Sequence, residues 1–308
     1  MIGGFNNSNG DMAEGPTKTA RLAGAGLTMV GAAAVLLLVA SARSGAAASD
    51  PSQEAQIGEA RRGSVTVRIA PAVADVVVSS ARAAGRPIVV IDPGHGGHDP
   101  GAAAASGAIV EKQLTLALAR ELRDRLVERG RVRVALTRDS DRYLTLEDRA
   151  GVARRLGASL FLSLHMDSAR NPTARGASVY SLSDVASDAE AARFAMAQNA
   201  GGVVSAADGS VRSMLSDLAL RSQMSASADL ASRLVRKSSA RVAMRPEPHR
   251  FARFHVLRRA EAPAVLFEAG YVSNAEDEQL LRSPEHRAAL VASLAETIEA
   301  DVAARIRR

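Results

Sequence analysis

The chain has 308 residues, of which 47% are hydrophobic and 23% are charged, and its formal net charge at neutral pH is +6. This length and composition predict a globular protein of one large or two small domains. The chain contains no cysteine, which excludes disulfides, thiolate metal ligands and a cysteine nucleophile. Its arginines are scattered and its aromatic content is only 3%, so nucleic acid is not a predicted partner.

The N-terminal segment has the composition of a secretory signal. Lys18 and Arg21 precede an apolar run of 19 residues, and a stretch of small residues then ends at Ala48. This order predicts that residues 1–48 form a signal peptide and that the protein is exported. A run of this length can also span a bilayer, so an uncleaved anchor is the alternative, and the only predicted membrane contact. A start at Met12 would shorten the leader to a more usual length.

Residues 49–86 are rich in alanine, serine and arginine and are predicted to be a linker. The alternating piece Ser64–Ile69 is a candidate edge strand within it. Because the segment is too short for a second domain, residues 87–308 are predicted to form a single domain.

From residue 87 onward, strand and helix patterns alternate along the chain. Strands are predicted at Ile88–Ile91, Val132–Leu136, Ser159–Leu164, Ala177–Tyr180, Phe254–Leu257 and Ala264–Phe267. Helices are predicted at Glu111–Arg129, Leu146–Leu156, across 185–240 with a break at Gly201-Gly202, and at Glu285–Ile306. This alternation predicts an α/β fold with helices on both faces of one sheet.

The stretch 88–102, IVVIDPGHGGHDPGA, joins a buried strand to a loop of glycine, proline and polar residues. A loop after a strand lies at the carboxyl edge of an α/β sheet, where such folds bind ligands. Its glycines allow close backbone approach, and His95 suggests that the ligand is a metal. The alternative is a tight turn with an exposed histidine.

Four polar residues have positions that suit a metal-dependent hydrolase. His95, His165 and Glu268 each follow or end a predicted strand, and Glu111 begins the first helix. If these strands run in the same direction, all four side chains meet at one edge of the sheet. Two imidazoles and a carboxylate form a three-ligand zinc site, and a further carboxylate can serve as a general base.

Each of these residues also has a structural explanation. Glu111 suits the positive end of a helix dipole, and His165 could be a hydrogen-bonded core histidine. Glu268 lies in an otherwise apolar run, where burying an idle carboxylate would be costly, so a functional role is favoured. His98 forms a His-x-x-His pair with His95, but a loop gives the two no shared face, and His98 is not a predicted ligand.

Five motifs resemble those of the zinc-dependent N-acetylmuramoyl-L-alanine amidases of bacterial cell division. They occur in the family's order, and the resemblance runs from about residue 87 to 306. The motifs are DPGHGGHDPGA at 92–102, VEKQLTLALA at 110–119, LTRDSDRYLTLEDR at 136–149, FLSLHMDS at 161–168 and AVLFEAGYVSN at 264–274. One departure is Ala153-Arg154, where the family usually has Ala-Asn.

The resemblance implies that His95, Glu111 and His165 bind one Zn²⁺ and that Glu268 is the catalytic glutamate. It also implies an open α/β fold around a mixed, mostly parallel sheet, with peptidoglycan as the substrate and the periplasm as the location. The bond cut would join N-acetylmuramic acid to L-alanine. The alternatives are a zinc carboxypeptidase or other amide hydrolase acting on the stem peptide, and a catalytically inactive wall-binding module.

Residues 182–245 are predicted to form a helical insertion, longer than a connection between two strands requires. In regulated relatives, a helix from this region blocks the active site with a zinc-binding glutamate until an activator protein withdraws it. The expected Glu-Asn here reads Gln198-Asn199, so either the block is loose or Glu190 supplies it. We therefore predict autoinhibition that an exported coiled-coil-type activator relieves. The alternative is that the helices only cover the sheet.

Overall fold

The computed structural model describes residues 76–79, 82–83, 85–200 and 211–307. The strands are β1 Val78–Ser79, β2 Ile88–Pro93, β3 Arg133–Leu136, β4 Leu160–Asp167, β5 Ala177–Leu182, β6 Met244–Ala252 and β7 Ala264–Tyr271. The helices are α1 Glu111–Arg129, α2 Leu146–Leu156, α3 Ala189–Gln198, α4 Val211–Ser238, α5 His255–Arg259, α6 Ala275–Arg282 and α7 Pro284–Ile306. None of the described helices is both long and apolar enough to cross a membrane.

The strands form one mixed, mostly parallel sheet in the order β1-β3-β2-β4-β7-β5-β6, which confirms the predicted fold class. Strands β3, β2, β4 and β7 run parallel to one another, whereas β5 is antiparallel to β7 and β6 follows the direction of β5. The carboxyl ends of β2, β4 and β7 therefore meet at one edge of the sheet.

Helices pack on both faces of the sheet, as predicted. One face carries α1, α4 and α7, whose buried side chains include Leu118, Leu230 and Leu294. The other face carries α2, α3 and α5, which bury mainly alanines together with Val256 and Leu257. Burying each large aliphatic side chain contributes roughly 1.5–3 kcal/mol, so both layers are needed to stabilise the sheet.

The alternation of side chains along β4 and β7 determines on which face of the sheet the candidate functional residues lie. Leu164 and Phe267 point to the face of α1, α4 and α7. Their neighbours His165 and Glu268, which are register partners across β4 and β7, therefore point to the opposite face. This is the face that α3 covers.

The predicted strand Phe254–Leu257 is wrong. Phe254 caps α5, and the strand lies earlier, at β6. Pro246 and Pro248 argue against a strand in sequence, but β6 is at the edge of the sheet, where proline is tolerated. Its pairing with β5 shifts register between Ala177 and Val179, so the prolines lie in a bulge.

Other differences from the predicted elements are smaller. Helix α6 was not predicted, and the two-residue edge strand β1 lies inside the predicted linker. The candidate strand Ser64–Ile69, the leader 1–48 and the break at Gly201-Gly202 lie outside the described residues.

Candidate metal centre and active site

The loop after β2 has an unusual backbone conformation that two buried arginines stabilise. His95 has a φ of 60°, in the left-handed region that residues other than glycine rarely adopt. Arg149 donates from Nη2 to the His95 carbonyl at 2.7 Å, and Arg138 donates from Nη2 to the Gly94 carbonyl at 2.7 Å. These charge-assisted hydrogen bonds hold the loop in the position that presents the imidazole.

Arg149 is itself fixed by Asp92 at the carboxyl end of β2. Its Nη1 donates to Asp92 Oδ1 at 2.8 Å, and both side chains are buried. Burial alone would raise the pKa of Asp92, but the Arg149 charge and the Thr137 hydroxyl outweigh burial and hold this pKa below its usual value. The sequence analysis did not predict this ion pair between Asp92 and Arg149.

His95, Glu111 and His165 come together, as the sequence predicts. Glu111 Oε1 lies 3.1 Å from His95 Nε2 and 3.0 Å from His165 Nδ1. One ligand atom from each side chain lies within 4.8 Å of the other two, and the imidazole rings meet edge to face with centroids 4.9 Å apart. His95 lies in the loop after β2, Glu111 begins α1 and His165 lies near the end of β4.

These three side chains fit a zinc ion. Zinc bonds to nitrogen and oxygen are about 2.0–2.2 Å long and tetrahedral, which places ligand atoms ~3.3 Å apart, close to the distances given above. His95 Nε2 is buried, and it lies 3.1 Å from Glu111 Oε1, which is itself a candidate ligand, as expected of two atoms that share a metal ion. The group is therefore capable of binding a metal.

The electrostatics keep Glu111 ionised, as a metal ligand must be. Burial by itself would raise the pKa of Glu111, but hydrogen bonds and charge from His165 and His95 outweigh it and lower this pKa strongly. Burial lowers the pKa of His165, which favours the neutral imidazole that binds metals.

Asp99 is a candidate positioning residue that the sequence analysis did not identify. Its Oδ2 lies 2.9 Å from His95 Nδ1, and its Oδ1 accepts a hydrogen bond from the Gly101 amide at 3.1 Å. A carboxylate on the far nitrogen of a metal-binding histidine fixes its tautomer and orientation. The signal was an aspartate four residues after a histidine in a glycine-rich loop, where the chain turns back on itself.

Two glycines allow the close packing of the ligands. A Cβ on Gly94 would lie 2.3 Å from His165 Cε1. A Cβ on Gly101, where φ is +67°, would lie 2.6 Å from Glu111 Oε2. Neither position can carry a side chain unless a ligand moves.

Glu268 lies beside the three candidate ligands, in the middle of the sheet. It is the register partner of His165 on β4 and of Ser178 on β5, and it is completely buried. Neither carboxylate oxygen has a hydrogen-bond partner among the described residues. Burial, followed by the charges of Asp167 and Glu111, raises the pKa of Glu268 well above its usual value. A carboxylate with a raised pKa is a stronger base than an exposed one, which suits it to proton transfer.

A cavity of about 340 Å³ opens beside the imidazoles of His95 and His165. His98 lies at its wall and stacks on Tyr143 with ring centroids 4.1 Å apart, outside the group of candidate ligands. Both observations agree with the prediction that His98 is not a ligand.

The two candidate blocking residues occupy different places. Gln198, the last residue of α3, lines the cavity together with both histidines. Glu190, in the first turn of α3, does not line it. Its carboxylate instead pairs with Arg245 Nη2 at 3.1 Å and with Arg250 Nη1 at 3.2 Å.

Comparisons with known proteins agree with this geometry. The family model described as N-acetylmuramoyl-L-alanine amidase matches residues 89–300. The chain is 32% identical over 223 residues to the Escherichia coli N-acetylmuramoyl-L-alanine amidase AmiA, covering 70% of this chain and 76% of AmiA. It is 32% identical over 219 residues to AmiC of Neisseria meningitidis, covering 70% of this chain but only 52% of AmiC.

Solved structures of such amidases have the same fold. AmiC2 of Nostoc punctiforme superposes with a TM-score of 0.53 at 27% identity, covering 73% of this chain and all of that one. The catalytic domain of CwlV from Bacillus (Paenibacillus) polymyxa superposes with a TM-score of 0.51 at 26% identity, covering 69% of this chain and 96% of that domain.

Proposed function

The chain belongs to the N-acetylmuramoyl-L-alanine amidase family, and on that premise we propose a zinc-dependent hydrolysis of peptidoglycan. The bond that is cleaved is the amide between N-acetylmuramic acid and the L-alanine of the stem peptide. His95, Glu111 and His165 hold one Zn²⁺, and Glu268 is the catalytic residue. The observation that carries this proposal is the group of three metal-capable side chains with a buried carboxyl in register beside it.

The chemistry divides between the metal and the chain. A zinc ion held by these three side chains would act as a Lewis acid that activates water and polarises the carbonyl of the scissile amide. Glu268 accepts a proton from the attacking water and returns a proton to the leaving nitrogen of L-alanine. Water thus adds a hydroxyl to the lactyl carbonyl carbon, the C–N bond breaks, and a carboxylic acid and a free amine result.

The raised pKa of Glu268 suits both halves of this role. A carboxylate with a raised pKa is a stronger base than an exposed one, and the acid that it becomes can protonate an amine. Asp99 and the pair of Asp92 and Arg149 act only through His95, whose ring and backbone they position.

Digestion of purified peptidoglycan by the zinc-loaded protein, followed by mass spectrometry, tests the proposed reaction. We expect intact glycan strands together with free stem peptides that begin at L-alanine. Release of single terminal amino acids would instead identify a carboxypeptidase. Binding to peptidoglycan without any released product would identify an inactive wall-binding module.

We also propose that α3 inhibits the enzyme in this conformation. Its Phe194 packs on Tyr180 and Phe254, and its C-terminal Gln198 lines the cavity beside the two histidines. Glu268 is completely buried, so substrate has no access to it until a covering element moves. An amide binds zinc more weakly than a carboxylate does, so this block is weaker than one made by a glutamate.

An exported coiled-coil-type activator is the proposed partner that moves α3. The proposed site of action is the periplasm, at the division septum, where splitting of shared peptidoglycan separates daughter cells. Fractionation of cells that express the chain with and without residues 1–48 tests the location. We expect the full chain in the periplasmic fraction and the shortened chain in the cytoplasm.

A further inference from the structure

Two arginines on β6, Arg245 and Arg250, are neutralised by carboxylates of the N-cap and the first turn of α3. Arg250 donates to both carboxylate oxygens of Asp188, from Nε at 3.1 Å and from Nη2. Arg245 donates to both carboxylate oxygens of Glu190, at 3.2 and 3.1 Å. Each guanidinium thus binds one carboxylate through two hydrogen bonds, the geometry in which arginine recognises carboxylates.

The arginines are held in place by groups that do not belong to α3. Arg245 Nη1 donates to the Tyr271 hydroxyl at 2.5 Å, and Arg250 Nη1 donates to the Tyr180 hydroxyl at 3.3 Å. Arg250 is the register partner of Tyr180 on β5, whereas Arg245 lies in the irregular part of the pairing between β5 and β6. Each guanidinium therefore has one hydrogen-bond partner on the sheet besides its carboxylate partner next to or in α3.

The charge balance around Arg245 and Arg250 depends on α3. With α3 in place, the two arginines face Asp188, Glu190 and Asp167, whose Oδ2 lies 3.9 Å from Arg245 Nη1. Without the carboxylates of Asp188 and Glu190, the two guanidiniums would face a single carboxylate, that of Asp167. Arg245 Nε is also buried without a hydrogen-bond partner among the described residues, so the cluster has an unused donor. One buried and one half-buried guanidinium that share a single carboxylate form a site for an anion.

The position of Asp167, whose Oδ2 lies 3.9 Å from Arg245 Nη1, suits a particular part of the substrate. Asp167 follows the candidate ligand His165 by two positions on β4, with a shift of pairing register between them, so the two backbone positions are at most about 7 Å apart. An extended peptide also advances about 7 Å over two residues. The residue after L-alanine in the stem peptide is linked through its side-chain carboxyl, so it carries a free α-carboxylate at about this distance from the scissile bond.

We propose that Arg245 and Arg250 form a binding subsite for a carboxylate of the stem peptide, and that Asp188 and Glu190 of α3 occupy it in this conformation. This inference rests on the proposed amidase function, because the subsite is placed relative to the scissile bond. The first turn of α3 thus imitates the substrate, while Gln198 lies at the cavity. Inhibition would be competitive with acidic stem peptides in particular.

The test uses two muramoyl tripeptides that differ only at the second residue, which carries either a free α-carboxylate or an α-carboxamide. Binding is measured by calorimetry in a Glu268→Gln background, which prevents turnover. Asp188→Asn combined with Glu190→Gln removes both charges but keeps the shapes, and asparagine remains a good N-cap for α3. Asp184→Asn, which removes a carboxylate paired with Arg258 at the surface, is the matched control.

We expect the double variant to bind the free-carboxylate peptide at least ~10-fold more tightly than the parent, with little change for the amidated peptide. Adding Arg245→Gln should abolish this preference, Arg245→Lys should restore part of it, and Arg258→Gln should leave it unchanged. In the active enzyme, Arg245→Gln should raise KM for the free-carboxylate peptide without raising KM for the amidated one.

Equal affinity of the double variant for the two peptides would overturn the inference, and this comparison does not require the arginine variants to fold. A preference that survives both Arg245→Gln and Arg250→Gln would also overturn it. Failure of the proposed function gives a different result, since the parent would then release no stem peptide from peptidoglycan whatever its binding preference.

Discussion

At the scale of single residues, the side chains proposed to do the chemistry are each positioned by others that do not take part. Asp99 orients the imidazole of His95, Arg149 holds its carbonyl, and the amide of Met166 donates to Glu111 Oε1 at 2.9 Å. Glu268 has no such partner among the described residues, and neither of its carboxylate oxygens is engaged in a hydrogen bond there. The difference matches the proposed roles, because a metal ligand must be held in one orientation, whereas Glu268 must exchange a proton with the reacting groups.

Replacing His95 with alanine should lower both zinc content and hydrolysis, because one of three ligands is lost. A chelator should inactivate the parent, and added zinc should restore it. His98→Ala is the matched control, since His98 lies in the same loop but outside the ligand group. Elemental analysis and a dye-release assay measure the two effects. A fully active His95→Ala protein with one zinc per chain would refute the assignment.

Replacing Glu268 with glutamine should separate the base from the ligands. The amide keeps the shape but cannot accept a proton, so we expect hydrolysis to fall by at least ~10²-fold while zinc is retained. The measurements are turnover of a soluble muramoyl peptide and zinc content. Loss of the metal together with activity would make Glu268 a ligand instead.

Asp92 should control how stability responds to acid. Its pKa is lowered in the folded state, so its contribution is fully present above the unfolded value of 3.8 and is lost as the pH falls through the folded value. Removing this carboxylate leaves Arg149 buried and unpaired, at a cost of roughly 3–5 kcal/mol.

Urea unfolding of the metal-free parent and of Asp92→Asn, measured from pH 7 to pH 2, tests this. The parent should lose stability below the unfolded value more steeply than the variant does. The exposed Asp139→Asn is the control and should behave like the parent. Parallel curves for all three proteins would mean that Asp92 is not charged in the folded state.

At the scale of elements, the sequence is most informative where one face of an element is buried. Leu114, Leu118, Leu122 and Leu126 recur at helical spacing, and α1 has the predicted bounds. Strand β6 could not be predicted, because its bulge and prolines remove the alternation that identifies a strand. Its edge position is a property of the whole sheet rather than of its own residues.

Helix α3 gives the clearest test at this scale. Replacing Ala186–Gly202 with a short Gly/Ser bridge should raise basal hydrolysis, because it removes Gln198 from the cavity beside the two histidines. Zinc content should not change.

In the full chain, Gln198→Glu should lower basal activity, since a carboxylate is a better zinc ligand than an amide.

Circular dichroism and metal analysis establish that the shortened protein is folded and loaded. If it is, and yet hydrolyses peptidoglycan no faster than the parent, α3 is only a cover for the sheet. An unchanged rate in Gln198→Glu would show that this residue does not reach the metal.

At the scale of the whole molecule, the candidate site depends on parts of the chain that are distant in sequence. His95, Glu111, His165 and Glu268 could be named from the sequence because each follows or ends a predicted strand or begins a predicted helix, although β7 in fact continues three residues past Glu268. Asp99 and the arginines 245 and 250 could not, because their partners are set by a loop turn and by a bulged edge strand. Residues whose role depends on contact between elements need the structure.

Metal binding should therefore stabilise the entire domain. The proposed ligands come from the β2 loop, α1 and β4, so zinc binds the folded chain and not the unfolded one. At a zinc concentration 100-fold above Kd, mass action adds about 2.7 kcal/mol to the free energy of unfolding. Thermal unfolding with and without zinc should show a higher Tm for the loaded parent. An equal rise in Tm for His95→Ala would place the metal elsewhere.

The bulged strand β6 has one more consequence, for the behaviour of the protein at high concentration. An exposed strand edge offers free amides and carbonyls to any other chain and can seed association between molecules. Proline has no amide to donate, and a bulge turns the strand away from a flat edge. Pro246 and Pro248 therefore make this border of the sheet a poor template for further strands. The irregularity that conceals β6 in the sequence thus protects the folded molecule against aggregation.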